Sequence, residues 1–386
     1  MNERWPRSNT SQKRARPSSR GSLYQLGELP RVLTYLREAE QLTHRLDDPR
    51  RLGWLALYLA AHLWLTGKSR EAGGFAERSR AIGEQLGDLS LDVWSRYYLG
   101  LTCFASGQYE EAEHLLRTLA EQLGGSLARD RLGISGFPSV LAHAWLARAL
   151  AEQGKFSEGL ALGQEGVRLG EALDHPYSLI FACWHLAHLE SVRGNPDAAI
   201  GWAERGLSHS RKWEVTLLSP LVTWQLGYAR ALSGDTRNGL PLLDEALISI
   251  VSMEMGAFLP VASLHRGEAL ARAGHLQATL ESADRALTLS REYGQPGVEA
   301  GALRLRGEAL ARLDAADFDA VEAEYVRALA LAEECGMRPL IARCHNGLSA
   351  LYERRSKRQA AAKHLAYATT LLKDMGMEIW PESSRE

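Results

Sequence analysis

Gly67, Lys68 and Ser69 spell the end of a phosphate-binding loop, in which backbone N–H groups, a lysine and a hydroxyl hold a nucleotide and its magnesium ion. Such a loop also needs a glycine five residues before the first of these positions, and it follows a strand. That earlier position is His62, and the preceding segment has the apolar pattern of a helix. We therefore expect no nucleotide hydrolysis at this sequence.

His185 and His188 are three residues apart, a spacing that puts two imidazoles on one face of a helix. No carboxylate or third ligand follows at a matching spacing, so we interpret them as groove or core histidines. The four cysteines form neither a Cys-x-x-Cys pair nor a zinc pattern and are interpreted as buried thiols; they are Cys103, Cys183, Cys335 and Cys344. We expect no catalytic residue, no metal and no cofactor, and therefore no enzyme.

The elements that position these residues are set by a repeated glycine. Successive copies of this glycine are 40 residues apart, except for one interval of 47 residues. The next two intervals of 40 residues end at Asp314 and Arg354, where the glycine is absent. A fixed period of this length is typical of stacked two-helix units. The register positions are Gly67, Gly107, Gly154, Gly194, Gly234 and Gly274, with Gly27 one step earlier.

Other columns follow the same period. A small residue stands seven positions before each register position from Ala60 to Gly347, often after a leucine, and Ala72, Ala112 and Ala199 stand five positions after it. This pattern resembles the tetratricopeptide consensus, in which two antiparallel helices approach where side chains are small. We predict an all-α fold: a right-handed α-solenoid of about eight helical hairpins with a 40-residue period and a leading partial repeat.

Composition divides the chain into three parts. We predict a disordered basic arm over residues 1–22, a solenoid over 23–376 with an insertion loop at 124–138, and a tail over 377–386. Residues 1–20 carry six Arg and Lys against one Glu, a net charge of +5. The arm could hold nucleic acid or anionic lipid, or be a solvated tail, and nucleic acid is disfavoured because no basic stripe continues into the repeats.

The repeats begin part-way through a unit. Leu23, Tyr24 and Leu26 look like the last turn of a first helix whose earlier turns are missing. An uncovered apolar face favours association, so we expect self-association through the face of Val32 and Leu36. No secretory signal or apolar run of membrane-spanning length is present, which leads us to expect a cytoplasmic protein with no membrane partner.

The turns between units also carry signals. Prolines are expected to start helices at Pro176, Pro296 and Pro339. Left-handed glycines are expected to end the second helices at Gly87, Gly256, Gly294, Gly336 and Gly376.

The candidate binding site is the inner groove, which the first helices line in a tetratricopeptide superhelix. Its columns are rich in aromatic residues, and the expected groove residues are Trp64, Tyr97, Phe104, Arg148, Trp184, His188, Trp224 and Tyr228. The C-terminal units instead offer charges at Glu268, Arg272, Arg304, Glu308 and Arg312. Longer helices could rotate the aromatic residues into the packing between units, and that alternative stays open.

Four segments together resemble one family: residues 132–159, 175–207, 327–352 and 364–380. They are similar to the C-terminal tetratricopeptide region of bacterial class III adenylate or guanylate cyclases that also carry a signal-transduction ATPase domain. Neither the cyclase nor the ATPase domain is present in this chain. The resemblance implies a repeat region that senses a ligand or partner, and it transfers no catalytic residue.

Two functions remain open at this stage. The first is a non-catalytic interaction or sensor scaffold that binds a protein, a peptide or a small effector in its groove. The second is a non-catalytic subunit of a split cyclase or ATPase that acts with a separately encoded catalytic chain.

Overall fold

The computed structural model describes residues 29–46, 48–313 and 316–377, and every regular element in these ranges is helical. The helices are α1 (Leu29–Leu46), α2 (Pro49–Leu65), α3 (Ser69–Leu86), α4 (Leu89–Ala105), α5 (Tyr109–Gln122), α6 (Pro138–Glu152), α7 (Phe156–Ala172), α8 (Pro176–Arg193), α9 (Pro196–Trp213), α10 (Ser219–Leu232), α11 (Thr236–Ser252), α12 (Leu259–Arg272), α13 (Leu276–Tyr293), α14 (Pro296–Ala311), α15 (Phe318–Glu334), α16 (Arg338–Arg354) and α17 (Arg358–Asp374). Short 3₁₀ turns occur at Gly125–Arg129 and Gly256–Phe258. Over these ranges, no helix has an apolar stretch that would reach across a bilayer.

After α1, the helices pair as eight antiparallel hairpins, from α2 with α3 to α16 with α17. The prediction of an all-α helical-repeat solenoid with about eight hairpins and a leading partial unit is confirmed. The long connection between α5 and α6 contains the first 3₁₀ turn. The basic arm, the segment Leu23 to Leu26, the register position Asp314 and most of the tail lie outside the described residues.

The first helices of the hairpins form an inner layer in which each packs on the next along the solenoid. Helix α8 is buried without interruption from Ser178 to Ser191. Its partner α9 buries a single stripe of mostly small side chains: Ala199, Ala203, Gly206, Leu207 and Ser210. The inner layer therefore holds the large side chains, and the outer layer covers it with one face per helix.

Several helices begin at the signals that the sequence carries. The Asp88 carboxylate caps α4 by accepting hydrogen bonds from the backbone N–H groups of Ser90 and Leu91, at 3.0 and 3.3 Å. Pro176, Pro296 and Pro339 lie in the first turn of α8, α14 and α16, as predicted. These caps fix where each inner helix starts, and hence which side chains face the axis.

The repeated glycine has a conformational cause. Each register glycine from Gly67 to Gly274 has a positive φ, from 75° to 95°, at the turn between the two helices of a hairpin. Residues with a side chain avoid this region, so the turn selects glycine at a fixed interval. In the last hairpin, Ser356 takes this role with a φ of 59°, two residues after the expected Arg354.

The prediction for Gly256 was wrong, because the left-handed residue that follows α11 is Glu254, with a φ of 56°. Gly256 is required for another reason. A Cβ atom there would overlap the carbonyl oxygen of Thr66, which belongs to the first complete hairpin. Two distant parts of the chain thus meet through backbone atoms.

Two other hairpin turns also contact the next turn of the superhelix. The turn at Gly107 faces Pro296 and Cys335, and the turn at Gly154 faces Pro339 and Met375. Helix α6 also packs on α16, and α2 on the 3₁₀ turn before α12. Successive turns of the superhelix are therefore in direct contact, and side chains from both halves of the chain meet inside it.

Candidate functional site: the inner channel

Two cavities lie along the axis. The central cavity, of about 130 Å³, is lined by both halves of the chain, including Trp64, Phe104, Trp145, Arg148, Glu152, His188, Tyr228, Val261, His265, Glu268, Gln295 and Arg343. The aromatic cavity, of about 270 Å³, is lined mainly by apolar groups, including Tyr58, Trp64, Trp94, Tyr97, Tyr177, Phe181, Trp184 and Phe258. Trp64 and Phe258 line both cavities and form the wall between them.

The wall is a cluster of rings in edge-to-face contact. Trp64 meets Trp145 and Phe258 with centroid distances of 5.6 Å in both cases, and Phe258 meets Trp184 at 5.3 Å. Such contacts are a preferred geometry for aromatic pairs and add to the apolar area they bury. The rings come from both turns of the superhelix, so the same cluster joins the turns and shapes the cavities.

The eight residues expected in the groove all face the interior, but they are divided. Trp64, Phe104, Arg148, His188 and Tyr228 line the central cavity. Trp64 also lines the aromatic cavity, together with Tyr97 and Trp184. Trp224 is fully buried, and its indole N–H donates to His265 Nδ1 at 3.2 Å.

Arg148 is the most unusual polar residue of the central cavity. Its side chain is 3% exposed, and it makes no hydrogen bond or ion pair with the rest of the described chain. The guanidinium carbon lies 5.4 to 5.7 Å from the ring centroids of Phe104, Trp145 and Trp184. Burial lowers the pKa of Arg148 to about 10, so the group remains a cation at neutral pH.

A carboxylate and a histidine stand beside it. His188 Nε2 lies 2.8 Å from Glu152 Oε1, and His188 Nδ1 is buried with no hydrogen-bond partner among the described residues. Burial, and then the charge of Arg148, lower the pKa of His188 well below its ordinary value. Burial raises the pKa of Glu152, against the opposing effect of Arg148. At neutral pH the imidazole is therefore neutral, and it forms a hydrogen bond with the Glu152 carboxyl group.

The opposite side of the cavity carries a closed ion-pair network around Glu268. Its carboxylate accepts hydrogen bonds from the Tyr228 hydroxyl and from Arg304, and Arg343 Nη2 lies 2.9 Å from Oε1. Burial raises the pKa of Glu268, but Arg343 and Arg304 outweigh it, so the net pKa is lowered. Arg304 Nη1 also contacts Glu308 at 2.8 Å. Both Glu268 oxygens are therefore occupied within the protein.

One end of the axis is positively charged. Beyond the Glu268 network lies a third space of about 250 Å³, lined by Arg272, Arg304, Arg312 and Arg343 together with Glu268 and Glu308. Arg312 Nη1 donates to the carbonyl oxygen of Ala271 at 3.0 Å. We call this region the cationic mouth.

The sequence columns missed Glu152, His265 and Arg343. His265 stacks on Tyr228 with ring centroids 3.6 Å apart, and burial lowers its pKa to about 3. Arg343 was missed because Gly294 and Gly336, the left-handed residues on either side of the preceding hairpin of α14 and α15, are 42 residues apart, which shifts the register of the last repeat by two. Counted from Ser356, Arg343 occupies the position that Trp54 occupies before Gly67.

The motifs considered for catalysis have structural roles. Lys68 and Ser69 follow α2 and start α3, so no strand precedes them. His185 Nδ1 faces the carbonyl oxygen of Phe181 at 2.9 Å, which separates its role from that of His188. Across the described ranges, no group of three or more His, Cys, Asp or Glu side chains is arranged to hold a metal ion. The arrangement is suited to binding: an apolar cavity with a few fixed polar groups.

No family model and no curated protein matches this sequence. Solved structures do match its fold. A Rap protein complexed with competence and sporulation factor aligns over 92% of this chain and 95% of its own, with a TM-score of 0.67 and 13% identity. The Rap conjugation gene regulator of plasmid pLS20, in complex with the Phr* peptide, aligns over 92% and 96%, with a TM-score of 0.56 and 14% identity.

A third structure is aspartyl phosphate phosphatase F from Bacillus subtilis, which aligns over 94% of both chains with a TM-score of 0.51 and 12% identity. At such identities the likeness shows the fold alone. Since two of these structures contain bound partners and the third is named as an enzyme, the shared fold does not decide what this chain does. The inner channel is the feature of this chain that bears on its function.

Proposed function

We propose that this protein is a non-catalytic binding scaffold that takes a peptide, a segment of a protein or a small effector into its inner channel. The observation that carries the proposal is the central cavity, in which apolar walls surround a small number of fixed polar groups, including the buried cation of Arg148. Cavities of this kind bind ligands by apolar contact and orient them through a few polar atoms.

Two further observations support the proposal. Both turns of the superhelix contribute to the cavity, so a ligand there would contact helices that are far apart in sequence. Two proteins with the same fold were solved with competence and sporulation factor and with the Phr* peptide.

The test is selection from a random hexapeptide library and a mixture of bacterial metabolites, read by mass spectrometry. Binding is then compared between Val261→Trp, which fills the central cavity, and Val326→Trp, which places the same ring on an outer helix where the side chain is 49% exposed. We expect Val261→Trp to weaken binding of the selected ligand at least tenfold and Val326→Trp to leave it unchanged. Equal loss in both variants, or no selected ligand, would contradict the proposal.

We also propose that the repeats share an origin with the regulatory region of cyclase and ATPase signalling proteins. This rests on the four segments that resemble that region, and it concerns ancestry rather than catalysis. A gene for a cyclase or ATPase chain next to this one, with the two products co-purifying, would support it. A partner that belongs to neither class would count against it.

A further inference from the structure

We propose that Arg148 is the receptor for a carboxylate carried by the ligand. The proposal rests on the binding function proposed above and specifies its chemistry. A suitable ligand joins an apolar body, which fills the central cavity, to a carboxylate that reaches the guanidinium.

Arg148 is a buried cation with unused hydrogen-bond donors. A guanidinium offers five N–H donors, and here neither Nε nor Nη1, both shielded from solvent, has an acceptor within the described protein. Buried charges in proteins are normally paired, because loss of hydration is costly. The three rings around Arg148 stabilise the cation and hold its position, but they accept no conventional hydrogen bond.

The acidic groups of the cavity already have partners. Glu152 is bound to His188, and no oxygen of Glu152 is within ion-pair distance of Arg148. Glu268 is held by Tyr228, Arg304 and Arg343. An acceptor for Arg148 is therefore best supplied by a bound molecule.

The chemistry of the guanidinium and the size of the cavity limit the class of ligand. Charge-assisted hydrogen bonds from arginine to a carboxylate are about twice as strong as neutral ones, and arginine matches the planar shape of that group. The cavity has room for on the order of ten water molecules, which corresponds to one large side chain rather than a whole peptide. The carboxylate could belong to a small free acid or to the terminus or acidic side chain of a peptide.

The experiment uses matched probes and the full chain. N-acetyl-phenylalanine is compared with its amide, and acetyl-Ala-Ala-Ala-Phe with its C-terminal amide, by calorimetry and saturation-transfer NMR. Acetyl-Ala-Glu-Ala-Phe amide tests an acidic side chain. We expect each free acid to bind about 10- to 100-fold more tightly than its amide, as for a hydrogen bond to a charged group. Preference for the small acid would indicate a free effector, and preference for either acidic peptide would indicate a peptide.

Substitutions locate the effect. Arg148→Met should abolish the difference between acid and amide, and Arg148→Lys should retain part of it because the charge is kept. Arg272→Met removes an exposed cation from the cationic mouth and should leave the difference intact. If the difference between acid and amide is lost only in Arg272→Met, the carboxylate binds at the cationic mouth, and the proposal is overturned.

The remaining outcomes separate the two proposals. Equal binding of acid and amide by the unmodified protein overturns the carboxylate inference and leaves the binding scaffold standing. The same conclusion follows if no probe binds while library ligands bind and are lost in Val261→Trp. If neither the probes nor the library bind, both proposals fall. The comparison of acid with amide needs no variant, so it holds even if Arg148→Met folds poorly.

Discussion

Arg148 and Arg304 are both arginines on inner helices, 3% and 2% exposed, yet their surroundings are opposite. Arg304 contacts two carboxylates, Glu268 and Glu308. Arg148 lies among three aromatic rings and contacts no carboxylate. One repeat architecture thus carries a buried ion-pair network in its C-terminal half and a buried arginine that contacts no carboxylate in its N-terminal half.

The difference separates stability from binding. Groups that satisfy one another, as around Glu268, contribute to a fixed native structure and have little left to offer a ligand. A buried cation without an ion-pair partner costs free energy of folding and keeps N–H donors that a bound molecule can use. The N-terminal half of the channel is therefore the better candidate for recognition, and the C-terminal half for its support.

Among single substitutions, the largest effect is expected for the aromatic residues around the channel. Trp224 is fully buried, so Trp224→Ala should lower the free energy of unfolding by about 3–5 kcal/mol through lost contacts and a cavity. The measurement is urea unfolding followed by circular dichroism. Trp213→Ala, at the half-buried end of α9, serves as the control and should cost much less. A small loss at Trp224 would mean that this ring is an exchangeable groove surface rather than packing.

The next largest loss of stability is expected from a substitution that breaks the ion-pair network. Arg304→Met should destabilise the protein by about 3 kcal/mol, because Glu268 and Glu308 lose a buried partner. Arg80 also contacts two carboxylates, Glu77 and Glu84, but on the surface of α3. Arg80→Met should therefore cost less than about 1 kcal/mol. Equal losses for the two arginines, measured by urea unfolding, would remove the distinction drawn for the C-terminal half.

Acidification should act first through the histidines. Burial lowers the pKa of His185, His188 and His265, so the native protein resists protonating them while the unfolded chain protonates them below about pH 6.5. Stability should fall from pH 6.5 downward, by up to about 1.4 kcal/mol per pH unit for each imidazole. The lowered pKa of Glu268 adds a loss only below about pH 4.5. Equal urea midpoints at pH 7 and pH 5 would contradict this order.

The smallest change is expected at Arg148. Arg148→Met removes a buried cation that has no ion-pair partner and keeps much of its volume, so stability should be unchanged or slightly increased. Urea unfolding compares it directly with Arg304→Met. A loss as large as that of Arg304→Met would show that Arg148 is part of the folding core rather than a site kept for a ligand.

The repeat architecture could be predicted from the sequence because its cause is local. A hairpin turn that requires positive φ selects glycine at Gly67 and its equivalents, and small residues mark where the helices approach. The number of hairpins follows from counting these positions. The identity of the inner helices follows as well, since their residues are apolar around most of the circumference.

The closure of the superhelix could not be predicted in this way. The contact of Gly256 with Thr66 joins hairpins that a periodic pattern treats as independent. In a sequence, a glycine that a close contact requires cannot be distinguished from a glycine that a positive φ requires. The ion pairs within the channel could not be predicted from the sequence either. Glu268 and Arg304 stood in the expected columns, but Arg343 did not, because the repeat before it is two residues longer than the period. Nothing in the columns indicated that Arg148 would lack a partner.

The bare contact at Gly256 has a mechanical consequence. A coil whose neighbouring windings touch through main-chain atoms has its pitch set by the thickness of a peptide group. One added methyl group at Gly256 would wedge the windings apart at that point. The width of the space around the axis is thereby tied to a residue that does not line it.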